Sequence, residues 1–378
     1  MEHEDIPVSG RETAFFAAAN TERGFFNGFP ALFGGGRIAD RLFVVKGGPG
    51  TGKSRFMRDA ADYAAAHGWR AVFLYCSSDP ASLDGVILHA SGRPTLALID
   101  GTPPHAWELS RPGVREELID LGTFWDADAL RRSADTTDRL AQEKAAAYRR
   151  VYAYLEACGQ ADDVCGSLAE PLADGEVLRA RAERLIRSSL RGARQPDTGA
   201  KYADLSPGGT PLPPLFRKAF GMTGLSRLDT IDRAADRVLC VGDRFGLGSR
   251  FVRLLYESSV RQGLTVTVTR SPLHPDRMDG ILWHDTGLCV LDDTPAGCAQ
   301  GCQARVMDLR RCADRESLRG LRAELREAAS LRDSLLDAAL RRFGDVRRAH
   351  FALETVYSAA MDFVAKERFT EAFCSRTF

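Results

Sequence analysis

Residues 41–66, RLFVVKGGPGTGKSRFMRDAADYAAA, decide the fold prediction. The apolar run 42–46 leads into glycines at four of the next six positions, and an Ala-rich segment, 54–67, follows and ends at Gly68. A buried strand, a Gly-rich loop and a helix in this order are the setting of a phosphate-binding loop. The eight residues 47–54, GGPGTGKS, match the pattern G-x-x-x-x-G-K-[ST] in full.

The residue types in this loop suit a triphosphate and its magnesium ion. Glycines let backbone N–H groups turn inward around the β-phosphate, and Lys53 supplies a point charge for the β- and γ-phosphates. The Ser54 hydroxyl is the predicted Mg²⁺ ligand, at the positive end of the helix that starts there. The sequence therefore predicts an ATP or GTP site with Mg²⁺, built from Gly47, Gly48, Pro49, Gly50, Thr51, Gly52, Lys53, Ser54 and Arg55.

A second part of the site is expected at the end of the predicted strand 95–99. Asp100 follows this strand and is the candidate partner of the metal, as in a Walker B strand, with a cap on the next turn as its alternative role. Many ATPases place a Glu directly after this Asp, but Gly101 stands there. A general base must then come from elsewhere, or turnover is slow.

Three further residues are candidates for proton transfer. Asp79 and Asp84 follow the predicted strand 71–76, at the end of the sheet where open α/β folds bind ligands. A carboxylate there could accept a substrate proton, and a turn stabilised by Asp side chains is the alternative. Asp84 recurs in the second half of the chain, which favours a structural role for it, whereas Asp79 does not recur. His105 could sense the γ-phosphate or move a proton, unless it is an ordinary loop histidine.

The chain contains an internal repeat. Adding 195 to each number of 47–87 aligns this segment without a gap on 242–282, with nine of 41 positions identical. The second loop, 242–249, reads GDRFGLGS, so Gly248 stands in place of Lys53 and only Ser249 keeps its chemistry. This half could hold a nucleotide weakly, hold another ligand, or serve as a pseudo-dimer partner, with Arg244 or Arg250 as a possible arginine finger.

The repeat predicts an α/β fold of two tandem P-loop NTPase-like domains, each a parallel sheet flanked by helices with an added helical hairpin. The first domain is 1–192, with the intact loop. A linker rich in Pro and Gly covers 193–214, and the degenerate repeat covers 215–378. Long helices are expected over 126–159, capped by Asp126 or Asp128, and over 175–191 and 315–343. These helices are expected to be solvated, with a partner-binding coiled pair as the alternative.

Composition narrows the class of protein. The 378 residues carry 51 basic and 51 acidic side chains, so no global basic field attracts nucleic acid or an anionic membrane. The acidic N-terminus lacks the pattern of a secretory signal, and no apolar run approaches the length of a membrane span. Nine scattered cysteines without dense spacing favour reduced thiols. We therefore expect a cytoplasmic protein without membrane or nucleic-acid partners.

The combination of NTERGFF at 20–26, KGGPGTGKSRFM at 46–57, CSSDPASLDG at 76–85, DGTPPH at 100–105 and RPGVREELIDLGTFWD at 111–126 resembles a family of bacterial tandem P-loop ATP-binding proteins. In the second half, HPDRMDGIL at 274–282 and LETVYSAAMDF at 353–363 extend the resemblance to nearly the whole chain. The resemblance implies a predicted ATPase with two P-loop domains, and it is the main reason to favour ATP over GTP. The second loop of that family has a GTGKS motif, from which GDRFGLGS departs.

Three functions fit these observations. The preferred one is an ATPase whose cycle moves the two halves, acting on a protein or small molecule that the sequence does not specify. The second is a small-molecule kinase with Asp79 as the base. The third is a nucleotide-dependent binding module with negligible turnover, which the Gly101 position favours.

Overall fold

The computed structural model describes residues 12–35, 38–191, 202–242, 246–299 and 302–378. Its centre is a twelve-stranded sheet with helices packed on it, so the predicted α/β class is confirmed. The strands are β1 (Thr13–Phe16), β2 (Ala18–Thr21), β3 (Gly24–Asn27), β4 (Arg41–Lys46), β5 (Arg70–Tyr75), β6 (Leu83–His89), β7 (Leu96–Asp100), β8 (Glu116–Asp120), β9 (Leu215–Phe216), β10 (Lys218–Gly221), β11 (Gly224–Arg227), β12 (Arg237–Cys240), β13 (Val266–Arg270), β14 (Met278–Trp283), β15 (Leu288–Leu291) and β16 (Ala304–Val306).

The α-helices follow the same numbering in chain order. They are α1 (Phe29–Phe33), α2 (Lys53–Ala66), α3 (Ala127–Arg132), α4 (Ala134–Ala169), α5 (Gly175–Arg191), α6 (Thr230–Ala234), α7 (Leu247–Arg261), α8 (Arg315–Gly320), α9 (Arg322–Ala359) and α10 (Phe363–Thr377). The predicted elements 42–46, 54–67 and 175–191 match β4, α2 and α5, and Asp126 caps α3 as expected. The stretches 126–159 and 315–343 each divide into a short helix and a much longer one.

The order of strands in the large sheet is β16-β12-β15-β14-β13-β9-β1-β5-β6-β7-β4-β8. Counted outwards from the two central strands, β9 and β1, the strands of the second half appear in the same spatial order as their counterparts in the first half. The two central strands pair antiparallel, with Phe16 opposite Phe216. The 195-residue repeat is therefore also a repeat of topology, and one sheet runs through both halves.

The expectation of purely parallel sheets is wrong, because β6 and β14 run antiparallel to both of their neighbours. Both strands fall where we read loops around Asp84 and Asp279. Asp and Gly are poor strand formers, and the Asp-Gly pair in each segment hides an otherwise apolar run. In β6 all seven residues are buried.

The last helix of each half packs on the other half. Helix α5 contacts α7, and α10 contacts α2, whereas α4 packs along α9. Matching backbone hydrogen bonds hold both crossings: Asp174 N donates to Cys312 O, and Asp362 N donates to Phe124 O, each at 2.9 Å. The hairpins expected within each half are therefore not formed. The 36 residues of α4 span roughly 54 Å, which is enough to carry α5 across to the second half.

Two apolar layers cover the faces of the sheet. On one face, Phe56 of α2 stacks against Phe369 and packs on Phe373, both from α10. On the other face, Leu74 of the first half and Leu282 of the second belong to one buried cluster. The halves share a core, so burial of apolar surface stabilises their association directly.

The predicted linker, 193–214, lies outside the described residues as far as 201. Its remaining part is packed rather than extended, since Tyr202, Leu205 and Leu212 join the buried cluster that contains Leu74. Asp204 pairs with Arg70 and His89 of the first half. The domain boundaries themselves stay a prediction.

Two expectations drawn from composition can be compared with the structure. No helix among the described residues is long and apolar enough to cross a membrane. All nine cysteines are free thiols.

Candidate functional site

The loop 47–54 connects the end of β4 to the start of α2, as the sequence predicts. Gly50 and Gly52 have φ angles of +71° and +80°, in the left-handed region that glycine tolerates best. Gly52 caps α2, so the free N–H groups of the first helical turn lie next to the loop. The buried Thr51 donates its hydroxyl to Gly48 O at 2.9 Å and holds the turn closed.

Lys53 lies inside this turn. Its Nζ donates to Gly47 O at 2.9 Å and to Gly48 O at 2.8 Å, and it lies 3.6 Å from Asp100 Oδ2. Asp100 is brought there because β7 runs parallel to β4, with Asp100 opposite Val45. Burial raises the pKa of the Asp100 carboxyl, and the nearby Lys53 ammonium opposes that rise. Both residues that the sequence placed at the centre of the site are therefore adjacent.

The oxygens near Lys53 suit a magnesium ion. Ser54 Oγ accepts a hydrogen bond from Leu83 N at 2.9 Å and keeps a lone pair free. Asp100 Oδ1 accepts from the backbone and the hydroxyl of Thr102, and its Oδ2 faces Lys53. Mg²⁺ in nucleotide sites is held by one or two protein oxygens together with phosphate oxygens and water. Among the described residues, no group of three or more His, Cys, Asp or Glu side chains could hold a metal ion by itself. A magnesium ion here would therefore need phosphate oxygens and water as further ligands.

His105 and Asp84 form a buried pair beside Lys53 and Asp100. His105 Nε2 lies 2.9 Å from Asp84 Oδ2, and the two side chains are 5% and 8% exposed. The imidazole stacks on Phe29, with ring centroids 5.0 Å apart. Burial alone would lower the pKa of His105, but the Asp84 carboxylate, with a contribution from Asp100, raises it above its ordinary value. A histidine with an increased tendency to carry a proton therefore stands at the edge of the loop.

The structure places Asp84 and Asp79 in different surroundings. Asp84 lies within β6 and forms the buried pair with His105. Asp79 lies in the turn before β6, where its side chain accepts a hydrogen bond from the Ser82 hydroxyl at 2.8 Å. Asp79 thus shows the turn-stabilising contact that was its alternative role. Arg55 points outward, 75% exposed, and pairs with Asp59 one turn along α2.

The second half covers the first loop. A Cβ on Gly48 would lie 2.8 Å from the Tyr357 ring, and one on Gly50 would lie 2.6 Å from Glu354 O, both on α9. The side chain of Lys366 on α10 is adjacent to Gly52. The glycines therefore serve the packing of the two halves as well as the shape of the loop. Sequence reasoning missed this cover, because the residues that form it are about 300 positions away.

The second loop differs from the first in where its helix begins and in what occupies the lysine position. Helix α7 begins at Leu247, which takes the place of Gly52 in the repeat, so this helix starts one residue earlier than α2. A Cβ at Gly248 would overlap Asp292 Oδ1, so the carboxylate of Asp292, directly after β15, fills the space of the missing lysine. A cleft of about 510 Å³ lies nearby between α7 and α4 and is lined in part by Ser249 and Arg250.

The described residues include one of the two arginines considered as fingers for the intact site. Arg250 Nη1 lies 3.9 Å from Glu170 of α4, beside its own loop. Arg244 lies outside the described residues.

Comparisons of this chain with protein-family models, with curated proteins and with solved structures found no match in any of the three.

Proposed function

We propose that this chain binds Mg-ATP at the loop 47–54 and hydrolyses it, with GTP as the possible alternative nucleotide. In this proposal the two halves are tandem P-loop NTPase-like domains, of which only the first binds the nucleotide productively. The resemblance to bacterial tandem P-loop ATP-binding proteins supports ATP and is part of the proposal.

One observation carries the proposal. Lys53 lies within a left-handed glycine turn at the start of α2 and 3.6 Å from Asp100, at the end of the neighbouring parallel strand. A lysine, a helix N-terminus and a strand-end carboxylate meet at this point, which is the arrangement that P-loop NTPases use to hold a triphosphate and its metal.

Each residue then has a specific part in binding. The Lys53 ammonium, now hydrogen-bonded to loop carbonyls, would exchange them for β- and γ-phosphate oxygens. Ser54 Oγ would ligate Mg²⁺ directly, and Asp100 would hold it through water. When bound, Mg²⁺ would neutralise negative charge that builds up on the phosphate oxygens.

The Asp84–His105 pair is our candidate for the role that Gly101 leaves open. Both groups are buried next to Asp100, and the His105 Nδ1 has no hydrogen-bond partner among the described residues. Asp84 would orient the imidazole from Nε2, and Nδ1 would be available to hold the attacking water or the γ-phosphate. Asp79, occupied in its turn, is the weaker candidate.

Calorimetry with Mg-ATP and Mg-GTP, together with a phosphate-release assay, tests the proposal. Lys53→Ala is expected to abolish phosphate release and to weaken binding by about tenfold or more, because hydrogen bonds to charged groups contribute about 1.5–3 kcal/mol each. We expect Ser54→Ala to reduce the dependence of binding on Mg²⁺. The matched control is Ser249→Ala in the second loop, which should change neither measurement.

The outcome that rejects the proposal is the absence of nucleotide uptake by the wild-type chain at millimolar ATP or GTP with Mg²⁺ present. Tight binding without phosphate release would instead indicate a binding module. Product formation only after a metabolite is added would indicate a phosphotransferase.

A further inference from the structure

Lys366 is a buried lysine next to the first loop. It lies on α10 of the second half and is only 2% exposed. Its Nζ is 3.7 Å from the position that a Cβ on Gly52 would occupy. No described residue accepts a hydrogen bond from this ammonium group or ion-pairs with it. Its Nζ is not among the completely enclosed polar atoms, so the ammonium keeps some exposure at the end of a buried side chain, and an anion from outside the chain would account for its position.

The repeat supplies an internal comparison for this lysine. Asp174 and Asp362 cap α5 and α10, and the fourth residue after each cap is Leu178 in α5 and Lys366 in α10. Leu178 belongs to the same apolar cluster as Leu247, the residue that replaces Gly52. The degenerate loop therefore has two leucines where the intact loop has a glycine and a lysine. Lys366 is not needed for this helix to pack, because leucine serves in the other copy.

One more lysine lies near the same loop. Lys144 of α4 is close enough to Lys53 to interact with it electrostatically, and its Nζ is 3.1 Å from His350 Nδ1 on α9. Burial, with Lys53, lowers the pKa of Lys144, while Cys76 and Glu354 oppose that change. In the other copy, Arg332 is the eleventh residue of α9, as Lys144 is of α4, and it is ion-paired with Asp162 and Asp333.

We propose that Lys366 is a ligand of the nucleotide polyphosphate bound at the first loop, contributed by the second half of the chain. This inference rests on the proposed function of the loop. It gives the degenerate half a specific task, since the crossing of α10 completes a phosphate site that the first half cannot complete alone. The chemistry required is that of an ammonium opposite an anionic oxygen, which is a charge-assisted contact.

The test compares Lys366→Met, Lys366→Arg and the control Arg368→Met, an exposed cation two residues further along the same helix. Calorimetry with Mg-ATP, Mg-ADP and AMP is combined with thermal unfolding in the presence and absence of nucleotide. Methionine keeps the length of the side chain and suits the apolar surroundings that leucine occupies in the other copy. We expect Lys366→Met to weaken Mg-ATP binding by about tenfold or more, Lys366→Arg to recover part of this loss, and Arg368→Met to bind as the wild type does.

Thermal unfolding separates ligand binding from a structural role. Without nucleotide, Lys366→Met should unfold at the same temperature as the wild type or higher, because it removes a charge that has no partner in the chain and an apolar side chain fits this place in the other copy. A lower unfolding temperature with unchanged Kd would show a structural lysine and overturn the inference. Suppose that the wild type binds Mg-ATP, that Lys53→Ala no longer binds it and that Lys366→Met binds it with full affinity. Only the proposed role of Lys366 then fails. If the wild type binds no nucleotide, the proposed function fails and this inference with it.

Discussion

The buried Asp84–His105 pair leads to a prediction that can be tested without knowing any ligand. In Asp84→Asn the carboxylate 2.9 Å from His105 Nε2 becomes a neutral amide of almost the same shape. At this separation two unit charges interact by about 6 kcal/mol at an effective dielectric constant of ~20, before the cost of desolvation is subtracted. Mutational data on hydrogen bonds to charged groups give a net value of about 1.5–3 kcal/mol, which we take as the expected loss of stability.

The loss should depend on pH in a defined direction. The pKa of His105 is raised in the folded chain, so the pair contributes its stability fully below the unfolded value of about 6.5 and loses it as the pH rises through the folded value. Asp84→Asn should therefore lower the free energy of unfolding by about 1.5–3 kcal/mol near pH 6 and by clearly less near pH 9.

Urea denaturation of the wild type and Asp84→Asn at the two pH values measures this difference. Asp79→Asn is the matched control, because Asp79 accepts a hydrogen bond from the neutral hydroxyl of Ser82 rather than from a histidine. The effect of this substitution on the free energy of unfolding should be the same at pH 6 and pH 9. An equal loss at pH 6 and pH 9 for Asp84→Asn would refute the assignment of a charged pair. So would an NMR titration in which the substitution leaves the His105 midpoint unchanged.

Two further substitutions test how the halves hold the loop. Gly50→Ala puts a side chain at φ +71° and directly against Glu354 O of α9. We therefore expect the free energy of unfolding in urea to fall by more than about 1 kcal/mol and nucleotide binding to weaken, and a stable variant with normal binding would argue against the close contact. Asp362→Ala removes the carboxylate oxygen that caps α10, which accepts a hydrogen bond from Ala365 N at 2.9 Å. The substitution should lower the free energy of unfolding by about 1 kcal/mol, and a change near zero would mean that the cap does not stabilise the crossing helix.

Local features of the chain were predictable because their signals are local. The strand β4, the helix α2 and the cap at Asp126 were read from apolar runs, glycines and a capping carboxylate within a few residues of one another. The proximity of Lys53 and Asp100 was also expected, since both lie at the carboxyl ends of predicted parallel strands. The strand β6 was missed because Asp84 and Gly85 interrupt the strand pattern.

The sequence by itself determined that the chain has a Gly-rich loop with a lysine and a hydroxyl, and a second copy of that loop without the lysine, because these features are set by residue type and spacing. Only the tertiary structure decided that one sheet joins the copies, that α5 and α10 exchange places, and that Lys366 lies against Gly52. Such contacts join residues far apart in the chain, and they form because the long helices α4 and α9 each end close to the other half. No periodicity or motif within α5 or α10 indicates which half the helix packs on, so burial of the shared core selects this arrangement in the folded chain.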